Sequence, residues 1–565
     1  MKIPYGLSNF AIVIKNNYTY IDKTPFIRTL EDEGRHHILL RPRRFGKSLF
    51  LSMLQYYYDS HSTQDFNTLF GHLAIGQNPT PDHNQYQVLF LEFSGIATDD
   101  HKGIYDAFNN KIGVAISVFL HKYGYPESVQ QGFSQINNAS PADKMNYLLT
   151  WAIDQKLYLL IDEYDHFANS LMADDLNHFR TIMGKGGFVR AFYEVLKAGT
   201  QQGILDRLFI TGVTPIMLDS LTSGFNVVKN LSLDSKFNEA IGFTRTETES
   251  LVQSLTQQCN LKLDDLMLAV KQWYNGYRFS MDSRDNCQYN SDMVLYFIDN
   301  FNTQDCSHPA HMLDENIASD YGKILAMFKI GNRDENYEVL AELINEGVIT
   351  ASQRRKFDFD KGFDRDDFIS LLYYMGFIAF AGNELTQQRF VIPNYVIKVL
   401  YFEYFKVEIE RKNQITISNR TIEKAIIALA LHDNIEPLRI EVERVLQALS
   451  NRDFIQFDEK HIKMLIVTLL YQSAAYFIQS EPEINQKYPD ILLLERSPYA
   501  IQHEHLIELK FCKKSDRKKL WQDKLNSGIQ QVQGYLQLPD IKGCSKLSAW
   551  IMLTDGEEVV VARVN

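Results

Sequence analysis

Short, nearly continuous apolar runs alternate with helix-period stretches along residues 1 to about 245. The runs HHILLR (36–41), YQVLFLEFS (86–94), LYLLIDEY (157–164) and RLFITGVTP (207–215) predict strands. Their lack of polar alternation predicts cover on both faces, which is the signature of a parallel sheet within an α/β domain. From about 246 to 425 the period turns mainly helical, in TETESLVQSL, MLAVKQWYNGYRF and DDFISLLYYMGFIAF. From about 426 the order is helix, helix, strand, strand, helix, strand, with strands at DILLLER (490–496), HLIELKFC (505–512) and SAWIMLT (548–554). The apolar stretch Ile462 to Ile478 contains Lys463, Thr468, Gln472 and Ser473, and reads as one buried helix rather than a membrane span. Three packed regions follow, 1–245, 246–425 and 426–565, without a low-complexity linker between them.

Candidate chemistry appears where strands end. HHILLR runs into Arg41-Pro42-Arg43-Arg44-Phe45-Gly46-Lys47-Ser48 and then into the helical stretch SLFLSMLQYYY. Strand, tight loop and helix N-terminus together make an anion site, because the first turn's N–H groups point at the ligand. There Lys47 would reach the β- and γ-phosphates and Ser48 would ligate Mg²⁺. The loop's usual first glycine is replaced by Arg41, so its turn must be made at negative φ there. Gly46 and the cations Arg41, Arg43 and Arg44 complete the loop as candidate phosphate contacts; Arg43 and Arg44 serve phosphate or an acidic neighbour. LYLLI ends in Asp162 and Glu163, which suit a water-mediated hold on Mg²⁺ and a general base for the attacking water. Thr211 or Thr214, at the end of the next strand, would sense the γ-phosphate or merely satisfy the strand end.

A second constellation lies near the C-terminus. Glu508 and Lys510 share one face of a strand while Ile507 and Leu509 take the other. Asp490, opening the neighbouring strand, would meet them. Two carboxylates offer hard oxygen ligands for Mg²⁺, and a lysine beside them would position water or stabilise phosphorane charge.

Composition narrows the class. Hydrophobic residues at 45% and charged residues at 23% are globular values, and 565 residues exceed one core. A net charge of -12 rules out a uniformly basic nucleic-acid coat, so any such contact must be local. Lys510, Lys513, Lys514, Arg517, Lys518, Lys519 and Lys524 crowd one stretch and read as either a nucleic-acid patch or a solvated helix face. The five cysteines, Cys259, Cys287, Cys306, Cys512 and Cys544, form no CxxC pair. Their odd number argues against a disulfide framework or zinc ribbon, and with no visible secretory signal the expected setting is soluble and cytoplasmic, without a membrane.

The segments YIDKT (20–24), RPRRFGKS, LLIDEYD, FITGVTP, IGFT (241–244) and WYNGY (273–277) resemble the AAA-ATPase-like family of bacterial proteins. In that family the loop takes the form RPRRFGKS, so Arg41 is no sign of decay. Residues of about 440–555 resemble the nuclease-type domain of the PD-(D/E)xK superfamily that partners this family. The resemblance implies that Asp490 is the motif aspartate, that Glu508 and Lys510 are the (D/E)xK pair, and that Gln531 is the family's helix glutamine. Glu459 matches the first-helix acid and would join the metal site. It further implies ATP and Mg²⁺, with Mn²⁺ as a substitute at the nuclease site, and DNA or RNA as partner. Oligomeric state stays open. The expected function is an ATPase coupled to phosphodiester cleavage; the alternative is a nucleotide-dependent switch or scaffold whose C-terminal domain binds without cutting.

Overall fold

The computed structural model describes residues 1–96, 101–174, 176–184, 186–217, 227–283, 286–357, 362–450 and 458–565. Two compact units divide the chain: residues 1–300, 313–343 and 347–394 form one, and residues 301–312, 344–346 and 395–565 form the other. The helical region expected over 246–425 therefore divides, its larger part belonging with the N-terminal sheet.

The first unit is built on strands β1 (His36–Leu40), β2 (Gln87–Glu92), β3 (Leu157–Asp162), β4 (Leu205–Gly212) and the two-residue edge β5 (Lys229–Asn230). They pair in the order β2-β3-β4-β1-β5, with every pairing parallel. All six positions of β3 are buried, as strands covered on both faces require. Helix α1 (Lys47–Tyr58) packs on this sheet through Phe50, Leu54, Tyr57 and Tyr58, in one core with Tyr158, Leu160 and Phe209. The four longer strands lie where the apolar runs predicted them. The edge β5 has two exposed residues and carries no such signal.

Helices α2 (Arg245–Cys259), α3 (Leu263–Tyr274) and α4 (Ser291–Asp299) follow, and α5 (Arg365–Met375) ends at Gly376 in the left-handed region. A three-stranded antiparallel sheet, β6 (Ile349–Ala351), β7 (Ala379–Glu384) and β8 (Gln387–Val391), interrupts the helical pattern. Its strands are short, and all six β7 and β8 positions from Gly382 to Arg389 that belong to strands are polar or glycine, so no period-2 alternation marks them.

The second unit holds helices α6 (Tyr395–Asn413), α7 (Asn419–His432), α8 (Glu436–Ser450) and α9 (Glu459–Leu470) ahead of a mixed sheet. That sheet comprises β9 (Tyr476–Ser480), β10 (Ile491–Glu495), β11 (Glu504–Phe511), β12 (Leu547–Thr554) and β13 (Val559–Val564), in the order β13-β12-β11-β10-β9. Only β11 and β12 run parallel, and helix α10 (Arg517–Leu536) makes the crossover between them. The stretch Ile462 to Ile478, expected as one helix, divides into α9 and β9 because Gln472 and Ser473 break the chain into turns. Among the described residues no helix is long and apolar enough to cross a membrane. Among the described residues Cys287, Cys512 and Cys544 are free thiols.

A buried carboxylate ties the end of β4 to the segment after β3. Asp165 accepts from the Val213 N–H at 3.1 Å, the Thr214 N–H at 2.7 Å and Asn169 Nδ2 at 2.7 Å, with the Thr214 hydroxyl 2.8 Å away. A Cβ on Gly212 would stand 2.3 Å from the same carboxylate, so only glycine lets the strand approach. Removing the acceptor strands three buried N–H donors. Asp165→Ala is expected to destabilise the protein by about 3 kcal/mol, read as a lower midpoint in urea denaturation. Asp165→Asn, which keeps one acceptor oxygen, is expected to lose less.

Candidate nucleotide and metal sites

The loop after β1 is shaped by two left-handed residues, Arg44 at φ 65° and Gly46 at φ 94°. The turn that a first glycine would make is thus displaced three and five residues along, and Arg41 is left free for another task. Its guanidinium is buried and donates to the carbonyls of Leu40 at 2.8 Å, Ser232 at 2.8 Å and Phe237 at 2.7 Å, 4.2 Å from the centre of the Phe279 ring. Burial pulls its pKa down to about 10. Arg41 was expected at the phosphate; with its donors committed to backbone, it braces the loop instead. Pro42 packs where a Cβ on Gly376 would come within 2.8 Å, and Phe45 meets Tyr277 edge-on at 4.8 Å.

Lys47 donates to the Pro42 carbonyl at 2.9 Å, closing the loop over itself. Burial lowers its pKa, and the charges of Glu163, Asp162 and Asp165 oppose that shift. Asp162 is buried at the end of β3. Burial raises its pKa, and a hydrogen bond from Ser48 works against that rise. Lysine, hydroxyl and aspartate thus come together at the end of β3. Glu163 stands at φ 49°, an unusual left-handed conformation for a long side chain, and its Oε2 lies 3.0 Å from His166 Nδ1. Burial pushes the Glu163 carboxyl up, but the His166 contact and the nearby cations win and hold it below its ordinary range.

A cavity of 460 Å³ opens on this loop, and Arg43, Arg44, Gly46, Lys47, Ser48 and Glu163 line it. Gly242 and Phe243 line it from the IGFT segment, and Ser291 and Asp292 from the start of α4. Arg44 lies 3.6 Å from Asp292, and Arg43 lies 3.5 Å from His166. Both arginines line the cavity, and Arg44 also has the acidic neighbour that the sequence left open. Thr211 is fully buried between Leu39 and Asp162 in register and does not line the cavity; Thr214 is committed to Asp165 and Asn169. His166, Ser291 and Asp292 were not singled out from sequence. His166 lies only three residues past Glu163, a spacing that places it within reach of a strand-end acid; the α4 residues gave no signal. Lys23 of YIDKT pairs with Glu247 at 2.8 Å, and Asp22 caps Thr24 at 2.9 Å, so this segment acts as architecture at the cavity edge.

In the second unit β10 and β11 run antiparallel with Ile491 opposite Ile507 and Leu492 opposite Leu506. Continuing that register by one residue sets Asp490 opposite Glu508, so the two carboxylates leave the same face of the sheet. Asp490 Oδ2 accepts the Leu509 N–H at 2.8 Å, and Glu508 Oε1 accepts Lys510 Nζ at 2.7 Å. The residue Glu508 is 1% exposed, and its other oxygen, Oε2, is buried with no hydrogen-bond partner. Burial, then the charge of Asp490, pushes the Glu508 carboxyl up to about 7. Burial raises Asp490 as well, while burial of Lys510 is outweighed by its bond to Glu508, which leaves the lysine raised and cationic.

Glycine 528 of α10 makes this approach fit: a Cβ there would stand 3.0 Å from Ile551 and 3.3 Å from the Lys510 stem. Gln531, on the same helix, is exposed and donates to the Tyr535 hydroxyl at 2.6 Å. Glu459 opens α9, and its charge reaches both Asp490 and Lys510. Among the described residues, however, no three His, Cys, Asp or Glu side chains form a ready metal cluster, so Glu459 does not close a cage with the acid pair. Lys463, one turn further along α9, also acts on Asp490 and is paired with Glu481. The basic stretch is partly spent within the fold. Arg517 binds Asp555 at 2.7 Å and also Glu558, and Lys514 binds Glu557, which leaves Lys513, Lys518, Lys519 and Lys524 without acidic partners among the described residues.

Residues 4–222 match the family described as "Predicted AAA-ATPase", and residues 457–564 match the PD-(D/E)XK nuclease superfamily. An uncharacterized protein in the vnfD 5' region of Azotobacter chroococcum mcd 1 is 26% identical over 298 residues, covering 52% of this chain and 52% of that protein. The chain thus spans about half the length of this curated relative. Strand order, loop and acid pair agree with the two family matches: the chain joins an N-terminal AAA-ATPase-like domain to a C-terminal domain of the PD-(D/E)XK nuclease superfamily.

Proposed function

We propose that the chain is an ATPase coupled to a metal-dependent nuclease that cleaves phosphodiester bonds. The observation that carries the reading is the carboxylate pair at Asp490 and Glu508, with Lys510 bonded to one acid and an oxygen of that same acid left without a donor. A structural ion pair would satisfy both oxygens; an orphaned, buried carboxylate oxygen fits a cation ligand.

In the first unit the cavity suits a nucleoside triphosphate. Lys47 would exchange the Pro42 carbonyl for a phosphate oxygen, and Ser48 and Asp162 would hold Mg²⁺. Glu163, kept ionised beside His166, would accept the proton of the attacking water. In the second unit Asp490 and Glu508 would hold Mg²⁺ or Mn²⁺, which supplies charge neutralisation at the scissile phosphate. Lys510 would orient water and offset charge as the phosphorus gains a bond. Lys513, Lys518, Lys519 and Lys524 would bind the backbone of DNA or RNA on either side.

Lys47→Ala is expected to lower ATP hydrolysis by roughly a hundredfold or more in a phosphate-release assay. Glu163→Gln is expected to keep nucleotide binding while losing hydrolysis by about the same factor. Asp490→Ala and Lys510→Ala should each remove nicking of labelled DNA or RNA with Mn²⁺ present and leave ATP hydrolysis measurable. Cleavage that survives both substitutions would overturn the nuclease assignment.

The proton on Glu508 generates a pH dependence. Its folded pKa of about 7 lies above the ordinary 4.5, so the folded protein holds this proton more tightly than the unfolded chain. The group's contribution to stability is present below 4.5 and is lost as pH rises through about 7. A cation must displace the proton. Apparent Mn²⁺ affinity, measured by calorimetry, is therefore expected to rise by up to about tenfold per pH unit until about pH 7 and then level off. In Glu508→Gln the slope just below pH 7 should flatten, since Asp490 is then the acid left to exchange a proton.

A further inference from the structure

Beside the acid pair lies an open groove of 450 Å³ lined by Lys487, Tyr488, Gln530, Gln531, Gly534 and Tyr535. Its floor is fixed by a chain of hydrogen bonds: Gln531 donates to the Tyr535 hydroxyl at 2.6 Å, and that hydroxyl donates to the Tyr488 carbonyl at 3.3 Å. Lys487 donates to the Gly534 carbonyl at 3.0 Å and sits 5.9 Å from the centre of the Tyr535 ring. A Cβ on Gly534 would come within 3.1 Å of the Lys487 ammonium, so the helix is cut back where the lysine enters. On this ordered floor Tyr488 is left 54% exposed, and Gln530 beside it is exposed as well. An aromatic ring held at its backbone yet offered to water is a surface awaiting a flat ligand.

Chemistry narrows the ligand. The groove presents an open aromatic face, side-chain amides that both donate and accept, and a fixed cation. That set suits a nucleobase with its attached phosphate. Position narrows it further. Tyr488 precedes Asp490 by two residues, which limits their Cα separation to about 7 Å, roughly one nucleotide of an extended strand. Inside a duplex both faces of each base are covered by neighbours, so a base can reach Tyr488 only when it is unstacked.

We propose that this groove binds an unpaired nucleobase stacked on Tyr488, one nucleotide from the phosphate addressed by Asp490 and Glu508, which makes single-stranded nucleic acid the preferred substrate. The proposal rests on the reading of those acids as a phosphodiester site.

The test is fluorescence anisotropy on the full chain in EDTA, where no cleavage occurs, with labelled oligothymidylate, oligouridylate and a blunt hairpin duplex. The wild-type chain is expected to prefer one or both single strands over the hairpin, and the two strands separate DNA from RNA as the source of the base. Tyr488→Ala should weaken single-strand binding by about tenfold and leave hairpin binding unchanged, while Tyr488→Phe should stay within about twofold of wild type. Equal weakening on strand and hairpin, or no change on the strand, would overturn the groove assignment alone if Mn²⁺-dependent cleavage persists. Failure of the wild-type chain to bind any of the three probes would overturn the phosphodiester reading together with it.

Discussion

Two carboxylates placed opposite each other across an antiparallel strand pair repel, and burial magnifies the repulsion because little water is left to screen it. Asp490 and Glu508 are in that position, and the geometry around them follows from how the charge is managed. The Leu509 N–H and the Lys510 ammonium each take one oxygen. Those two donors fall short of four oxygens' needs. A proton on Glu508 relieves the remainder, and on the proposed reading a bound cation would take that proton's place, which an ordinary buried ion pair has no need of. Gly528 belongs to the same arrangement, since any larger residue on α10 would push back the Lys510 stem.

The nucleotide loop meets a related constraint with different parts. It must turn sharply, keep amides free and bring a lysine toward two acids. Arg41 removes the option of a flexible first glycine, yet its guanidinium fastens the loop to three carbonyls and an aromatic ring. Rigidity bought there allows the left-handed turns to fall at Arg44 and Gly46, next to the cavity. Glu163 carries a similar strain at the end of β3, and Asp165, two residues on, anchors the segment by gathering donors from β4. Strain at the acid is held in place by satisfied hydrogen bonds behind it.

Much of this was legible in the chain because strand periodicity speaks directly to facing. The alternation in HLIELKF put Glu508 and Lys510 on one side before any coordinates, and the apolar runs ending in Asp162 and Arg41 located the ends of β3 and β1. What stayed hidden depended on long-range register or on small residues. Nothing local marks Ser291 and Asp292 as cavity residues, because α4 reaches the loop only through tertiary packing. The sheet of β6, β7 and β8 lacked alternation, and β9 was masked by an apolar stretch continuous with α9. Arg41 misled for a physical reason: charge beside a phosphate loop suggests an anion, but a guanidinium is rich in donors, and here three of them go to backbone carbonyls.

The basic stretch after Lys510 shows why counting charges along a sequence overstates a surface. Seven cations occupy a short segment, but Lys510 serves Glu508, while Arg517 and Lys514 are drawn to the acids of the turn between β12 and β13. A cation held by a carboxylate has much of its field cancelled within a Debye length, so it attracts a phosphate weakly. Lys513, Lys518, Lys519 and Lys524 have no acidic partner among the described residues, and they sit on the segment that leads out of β11 and into α10. That smaller set follows directly on the strand that carries Glu508 and Lys510 instead of spreading over the protein, so a chain with a net charge of -12 can still hold a local positive field next to its converging acids.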